Sequence, residues 1–240
     1  MSFGRARLLQ SVEEWDTRNR VLLAALTDVI DMYASFELGR GLDVGCQGGI
    51  LTDALSERTG TDWWGIDPAI ATVTTSPHGA ELRPGSADSL HFESEFFDCL
   101  FFANVFEHIP PLDRVPSLRE MRRVLRPGGV IVGQLPNPRF PIESHSRLPF
   151  MGWLPIGLQK RYWRLSPVHW EHDFYVVTVR DLAREAGEAG LRVLMQRNFN
   201  YPLDVIPRGV RSVARVLARP MAHFPWAWQF VLDRPDAAAE

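Results

Sequence analysis

A short apolar run that breaks into glycines, Gly41-Leu42-Asp43-Val44-Gly45-Cys46-Gln47-Gly48-Gly49, limits this chain more than any other stretch. The apolar part has the length of a buried strand, and the glycines turn it into a helical stretch from about Ile50 to Arg58. Glycine admits positive φ and lets backbone approach a ligand with no side chain between them. The amino terminus of the following helix then offers free N–H groups to whatever sits there. Such a turn suits a dinucleotide, a nucleotide or a sulfonium compound, and it belongs at the edge of a sheet flanked by helices.

The rest of the chain repeats that alternation. Strands are predicted at Trp63–Asp67, Ala80–Ala87 (weaker, with Pro84), Phe97–Ala103, Val130–Leu135, Leu191–Met195 and Trp228–Leu232. Helical spacing marks residues 12 to 36 as one or two helices, then Leu112–Leu125, Thr178–Gly190 and Val205–Leu217. Arg126-Pro127-Gly128-Gly129 stops the third of these and turns the chain. The expected class is α/β: a Rossmann-like, doubly wound, mostly parallel seven-stranded sheet. Residues 1–240 read as one domain, with N-terminal helices (1–38), a core (39–135), an aromatic-rich insertion after the fifth strand (136–175) and C-terminal helices and strands (176–240).

Composition narrows the function classes. Hydrophobic residues make up 45% and charged residues 23%, as in ordinary globular proteins, and the net charge of −3 argues against a general nucleic-acid binder. Cys46 and Cys99 lie far apart without metal-type spacing and read as small buried residues. Glu13, Glu14 and Asp16 interrupt the amino terminus against a signal peptide, and no apolar run is long enough to span a bilayer, so a cytoplasmic location is expected.

Asp67 closes the second predicted strand, Trp63-Trp64-Gly65-Ile66-Asp67, where a carboxylate can accept hydrogen bonds from both hydroxyls of a ribose. Glycine turn and acid together point to an adenosine-containing cofactor. The downstream order decides among such cofactors: Gly85-Ser86-Ala87-Asp88, Phe97-Asp98, Asn104-Val105-Phe106-Glu107-His108-Ile109 and Leu125-Arg126-Pro127-Gly128-Gly129. With the first two motifs, these strongly resemble the class I S-adenosylmethionine-dependent methyltransferases, nearest the branch acting on small molecules and lipids such as quinone precursors. The resemblance covers roughly Gly39 to Leu135, with a weaker echo at Asp181–Val193.

It implies S-adenosylmethionine as cofactor and a role for each matching residue. Asp43 would anchor the loop and, directly or through water, the cofactor's amino group. Gly45 would lie against the methionine portion, with Cys46 and Gly49 completing the loop. Asp67 would hold the ribose, Ser86, Ala87 and Asp88 would meet the adenine, and Ala103 and Asn104 would line the methionine side. Two positions depart from the family: Gln47 stands where a central glycine is usual, and Ser86 stands where an acid is common.

Methyl transfer is an in-line displacement that depends mainly on positioning, with a base useful when the acceptor is a hydroxyl. His108 and His145 are the candidate bases, and His169 and His172 are further candidates for touching substrate. A metal site from Glu143, His145, His169 and His172 has suitable ligand types but no specific spacing, so no metal is expected. The insertion's aromatics read equally as an acceptor wall or as a lid core. Arg208, Arg211, Arg215 and Arg219 recur beside apolar positions, either as a solvated helix face or as a peripheral membrane contact. The expected partner is a small-molecule or lipid-like acceptor, with oxygen preferred, and no nucleic acid; the oligomeric state is open. The alternative is a non-catalytic cofactor-binding or scaffolding protein on the same fold, and a nicotinamide oxidoreductase is disfavoured by the Asn104–Ile109 and Arg126–Gly129 motifs.

Overall fold

Five parallel strands make the frame. In the computed structural model, which describes residues 12–34, 38–166, 174–202 and 224–235 (side chains from 17 onward), β1 (Arg40–Val44) is central. It pairs in parallel with β2 (Asp62–Asp67) on one side and with β5 (Phe97–Ala103) on the other. Beyond β2 come β4 (Glu81–Pro84), also parallel, and the two-residue β3 (Thr74–Thr75), antiparallel to it. Beyond β5 come β6 (Leu125–Pro136), parallel, and then β8 (Ala227–Asp233) and β7 (Arg192–Phe199), both antiparallel to their neighbours. The order β3-β4-β2-β1-β5-β6-β8-β7 reverses direction at β1 and β5. Ligands of such sheets lie in the crevice outside the carboxyl ends at that switch.

Eight strands stand where seven were predicted. The extra one is β3, in a Thr-rich segment too short for a helix, and β-branched threonines suit an extended edge. A second difference concerns Arg126-Pro127-Gly128-Gly129. It does end a helix, but these residues form a bulge inside β6 rather than a turn before it: Phe97 pairs with Leu125 and Cys99 with Val130. Asp98 explains the bulge. Its Oδ1 lies 2.8 Å from Arg126 Nε, and its Oδ2 accepts from the Gly39 and Arg40 N–H groups at 2.6 and 2.8 Å. The Phe97-Asp98 and Arg-Pro-Gly-Gly motifs therefore fasten the amino ends of β1 and β5, away from the ligand edge.

Strand β5 alternates between two cores, as its unbroken apolar run requires. Leu100 and Phe102 join Leu118, Met121 and Val124 of α3 (Arg114–Val124) and Leu182 and Ala186 of α5 (Val179–Glu188). On the other face Cys99 and Phe101 join Leu22, Leu26, Val29 and Ile30 of α1 (Val12–Tyr33), one helix spanning most of the predicted 12–36 region. Trp63 is buried there, and Trp64 meets Phe96 and Phe97 edge-on, so both tryptophans of β2 are packing residues. A capping box, Thr178 with Asp181, starts α5, and Gly190 at φ +77° follows its end.

The insertion has a small core of its own, Leu148, Met151, Trp163 and Phe174, with α4 (Ile156–Trp163) across it. Phe150, Trp153, Ile156 and Leu158 are exposed, so the aromatics divide between the two readings. The helix predicted around Val205–Leu217 with its arginines, and His169 and His172, lie outside the described residues. Among the described residues no helix is long and apolar enough to cross a membrane.

Candidate functional site

The glycine turn sits at the carboxyl end of β1 and is drawn toward β2. Gly45 and Cys46 both donate to the Ile66 carbonyl, at 2.8 and 3.0 Å. Gly45 has φ +84°, and a Cβ there would stand 2.4 Å from Val105 Cγ2, so glycine is required twice over. Gly49, at φ +76°, is the N-cap of α2 (Ile50–Thr59), and around Gly48 a Cβ would meet nothing within 4 Å. Gln47 also has positive φ, +53°, with its side chain exposed. This accounts for the first departure: the position asks for a left-handed residue, and a long side chain is tolerated by pointing to solvent. Cys46 lies with its Sγ over Gly65, leaving its backbone at the loop. Burial, helped by Asp43 and Asp67, pushes its thiol above the ordinary range, which excludes a nucleophile.

Two acids brace the loop from below. Asp43 is buried and accepts from Thr52 Oγ1 of α2 at 2.7 Å. Burial raises its pKa to about 7; the Thr52 bond opposes this, and Asp67 adds to it. Asp67 accepts from Gln47 N–H at 3.0 Å through one oxygen and from Ala69 N–H at 2.8 Å through the other. Each carboxylate oxygen keeps a second lone pair for a ligand hydroxyl. Beyond β4 the structure answers the second departure. Ser86 Oγ donates to Asp88 Oδ1, so an acid two residues on lies directly at the serine, with Ala87 buried between them.

Asn104 follows Ala103 at the end of β5 in a left-handed conformation, φ +58°. Its Oδ1 accepts from Gln134 Nε2 at 3.1 Å, and the same Nε2 lies 3.1 Å from the Tyr201 hydroxyl. Val105, which meets Gly45, leads straight into a single 3-10 turn, Phe106–His108. That turn carries the chain from the loop to a second set of groups.

His145 Nδ1 lies 2.7 Å from Glu143 Oε1, and Glu143 also accepts from the His145 and Ser146 N–H groups at 2.9 and 2.6 Å. Burial opposes ionisation of Glu143, but the hydrogen bond and charge of His145, with the two N–H groups, outweigh it and bring its pKa down to about 2. An ionised carboxylate only accepts, so Nδ1 carries the hydrogen and Nε2 presents a lone pair. Nε2 stands 3.7 Å from Glu107 Oε1, and His108 Nε2 stands 3.9 Å from the same oxygen. The two imidazoles cross edge-on at 5.1 Å, and Phe174 stacks on His145 at 4.7 Å. Glu107 is buried, neither of its oxygens has a hydrogen-bond partner, and burial raises its pKa against the pull of both histidines.

The predicted bases His108 and His145 are thus brought together, though 37 positions apart in the sequence. Glu107 and Glu143 were not predicted as members of this pair's surroundings. Their adjacency to the histidines in sequence was the available signal, but only the fold shows the convergence. One ligand atom from each of Glu107, His108 and His145 fits within 4.8 Å, a different grouping from the quartet with His169 and His172.

A family described as "Methyltransferase domain" matches residues 42–133. The Ubiquinone biosynthesis O-methyltransferase of Maricaulis maris (strain MCS10) is 30% identical over 185 residues, covering 72% of this chain and 68% of that protein. The chain belongs to the class I S-adenosylmethionine-dependent methyltransferases. The protein of the same name from Parvibaculum lavamentivorans is 28% identical over 177 residues, 69% of this methyltransferase and 64% of that protein. The methyltransferase thus spans roughly six tenths of the length of such relatives, 64% and 59% in two of them. A SAM dependent methyltransferase from Archaeoglobus fulgidus shares the fold, with TM-score 0.58 at 15% identity, covering 92% of this chain and 98% of that one.

S-adenosylmethionine is the cofactor of this family. The residues present fit it: a loop that leaves open space at Gly48, a close backbone approach at Gly45, and a braced carboxylate at Asp67 with lone pairs to spare.

Proposed function

We propose that the chain methylates a hydroxyl oxygen of a small-molecule or lipid-like acceptor, with His145 as the general base. The observation that carries this reading is the Glu143–His145 pair, which fixes the imidazole and leaves Nε2 facing an enclosed carboxyl beside the segment that touches the cofactor loop. The cofactor supplies a methyl group on a sulfonium, ready for displacement. Asp67 holds the ribose, Ser86, Ala87 and Asp88 meet the adenine, and Gly45, Cys46, Gly49, Ala103 and Asn104 shape the methionine side. Asp43 anchors the loop.

As the acceptor oxygen gains the methyl group, its proton passes to His145 Nε2, and ionised Glu143 stabilises the imidazolium that forms. The released sulfur becomes a neutral thioether. His108 crosses His145 and bears on the same Glu107, which makes it a positioning residue in this scheme. The relatives' name, Ubiquinone biosynthesis O-methyltransferase, supports oxygen as the acceptor atom.

The test is turnover with labelled S-adenosylmethionine against a panel of phenols, amines and thiols. Methyl ethers should form from phenols, and His145→Ala should lower their formation while leaving S-adenosylhomocysteine binding intact. Methylation confined to amines would contradict the oxygen assignment. The unpartnered Glu107 oxygens between two histidines favour a second reading, a divalent cation that binds the acceptor; activity lost to a chelator and restored by the metal would support it over the base.

A further inference from the structure

Two arginines on different parts of the chain lie unneutralised beside this site. Arg18, on α1, has its guanidinium carbon 5.4 Å from the centre of the Tyr201 ring. Tyr201 meets Gln134, and Gln134 meets Asn104, so Arg18 lies at the end of a chain of polar contacts leading to the carboxyl edge of β5. The Gln134 Oε1 atom in that chain is buried without a partner. Arg147 comes from the insertion, two residues beyond His145, in a left-handed conformation at φ +60° and with its N–H bonded to the Glu143 carbonyl at 3.0 Å. Left-handed backbone at a non-glycine residue persists where surrounding structure imposes it.

Both side chains are half-buried, and among the described residues neither forms an ion pair. Each is close enough to act on the other: burial lowers the Arg147 pKa, Arg18 adds to that, and Glu143 opposes it. Glu143 is already committed to His145 and Ser146. A partly desolvated pair of like charges is costly until an anion arrives. The cofactor does not remove the surplus, because its sulfonium and ammonium outweigh its single carboxylate. A second anion is needed, and Arg147 is placed on the acceptor side, next to the proposed base.

We propose that Arg18 and Arg147 together receive a carboxylate carried by the methyl acceptor. The proposal rests on the methyl-transfer reading above and adds the substrate class: a hydroxyl compound with an acid group, held by two guanidiniums while its hydroxyl faces His145. Guanidinium forks suit a carboxylate because they bind it through paired hydrogen bonds.

Calorimetry on the full chain saturated with S-adenosylhomocysteine tests this, using benzoate, salicylate and octanoate, each beside its amide. At least one carboxylate should bind about tenfold tighter than its amide. Arg18→Gln and Arg147→Gln should each abolish the preference, Arg147→Lys should keep part of it, and S-adenosylhomocysteine affinity should stay within about twofold. Equal binding within every pair, or a preference that survives both glutamine variants, overturns the proposal. So does a fall in S-adenosylhomocysteine affinity with the carboxylate preference intact, which would assign the arginines to the cofactor's own carboxylate. Failure of the cofactor reading itself is distinct: wild-type protein would then not bind S-adenosylhomocysteine at all.

Discussion

The two halves of the ligand edge are built on different principles. The cofactor half, from Gly45 to Asp67 and on to Ser86–Asp88, is made by backbone: positive-φ positions, carbonyls of β2 and short-range bonds from braced acids. The acceptor half is made by side chains that meet across long stretches of sequence: Glu107 and His108 after β5, Glu143, His145 and Arg147 from the insertion, and Arg18 from α1. Backbone geometry recognises what every member of a family binds, and convergent side chains recognise what one member binds. Substitutions on the acceptor half should therefore change turnover without changing cofactor affinity, and substitutions on the other half should do the reverse.

The largest expected effect is His145→Ala, which should lower kcat by about two to three orders of magnitude, measured in single turnover, with S-adenosylhomocysteine affinity unchanged. Glu143→Gln should lower kcat about tenfold, since the imidazole loses the partner that fixes its tautomer. It should also alter acid stability. A carboxyl held at about 2 in the fold and near 4.5 when unfolded contributes stability that is complete above the unfolded value and vanishes as pH falls toward 2. Thermal melts from pH 6 down to pH 2 should show that acid limb in the wild type and a shallower one in the variant, which should also be about 2 kcal/mol less stable near neutrality.

On the cofactor half, Gly45→Ala meets both a left-handed backbone and the Val105 methyl. A loss of about 2 kcal/mol in denaturant melts is expected, with weaker S-adenosylhomocysteine binding. Asp43→Asn should have the opposite sign for stability. The Asp43 pKa is raised in the fold to about 7, so its ionisation opposes folding progressively as pH rises from about 4 to about 7. At pH 8 the amide variant should be about 1 kcal/mol more stable than the wild type, and below pH 4 the two should match more closely. The smallest effect is Gln47→Gly, a gain of a few tenths of a kcal/mol from relief of its positive φ, with cofactor affinity nearly unchanged.

The same division explains what the sequence disclosed. Gly45, Asp67 and the strand order were legible because glycine turns and apolar runs are local signals whose meaning does not depend on distant partners. The pairing of Ser86 with Asp88 was within reach too, since two residues separate them. Glu107 and Glu143 were not, because an acid beside a histidine in sequence says nothing of the other segment it will face. The Arg-Pro-Gly-Gly bulge was misread for a related reason: glycine and proline mark an interruption, but only Asp98 on the neighbouring strand shows that pairing resumes around it.

The account turns on the cofactor loop and its acid at the end of β2. Calorimetric titration of S-adenosylhomocysteine into wild type and Asp67→Ala, with Asp67→Asn as the conservative partner, tests it most directly. The prediction is binding by the wild type in about the micromolar range, at least about tenfold weaker binding by Asp67→Asn, and weaker still by Asp67→Ala, with each variant folded by circular dichroism. Full affinity in Asp67→Ala, or no binding by the wild type at about millimolar ligand, would contradict it.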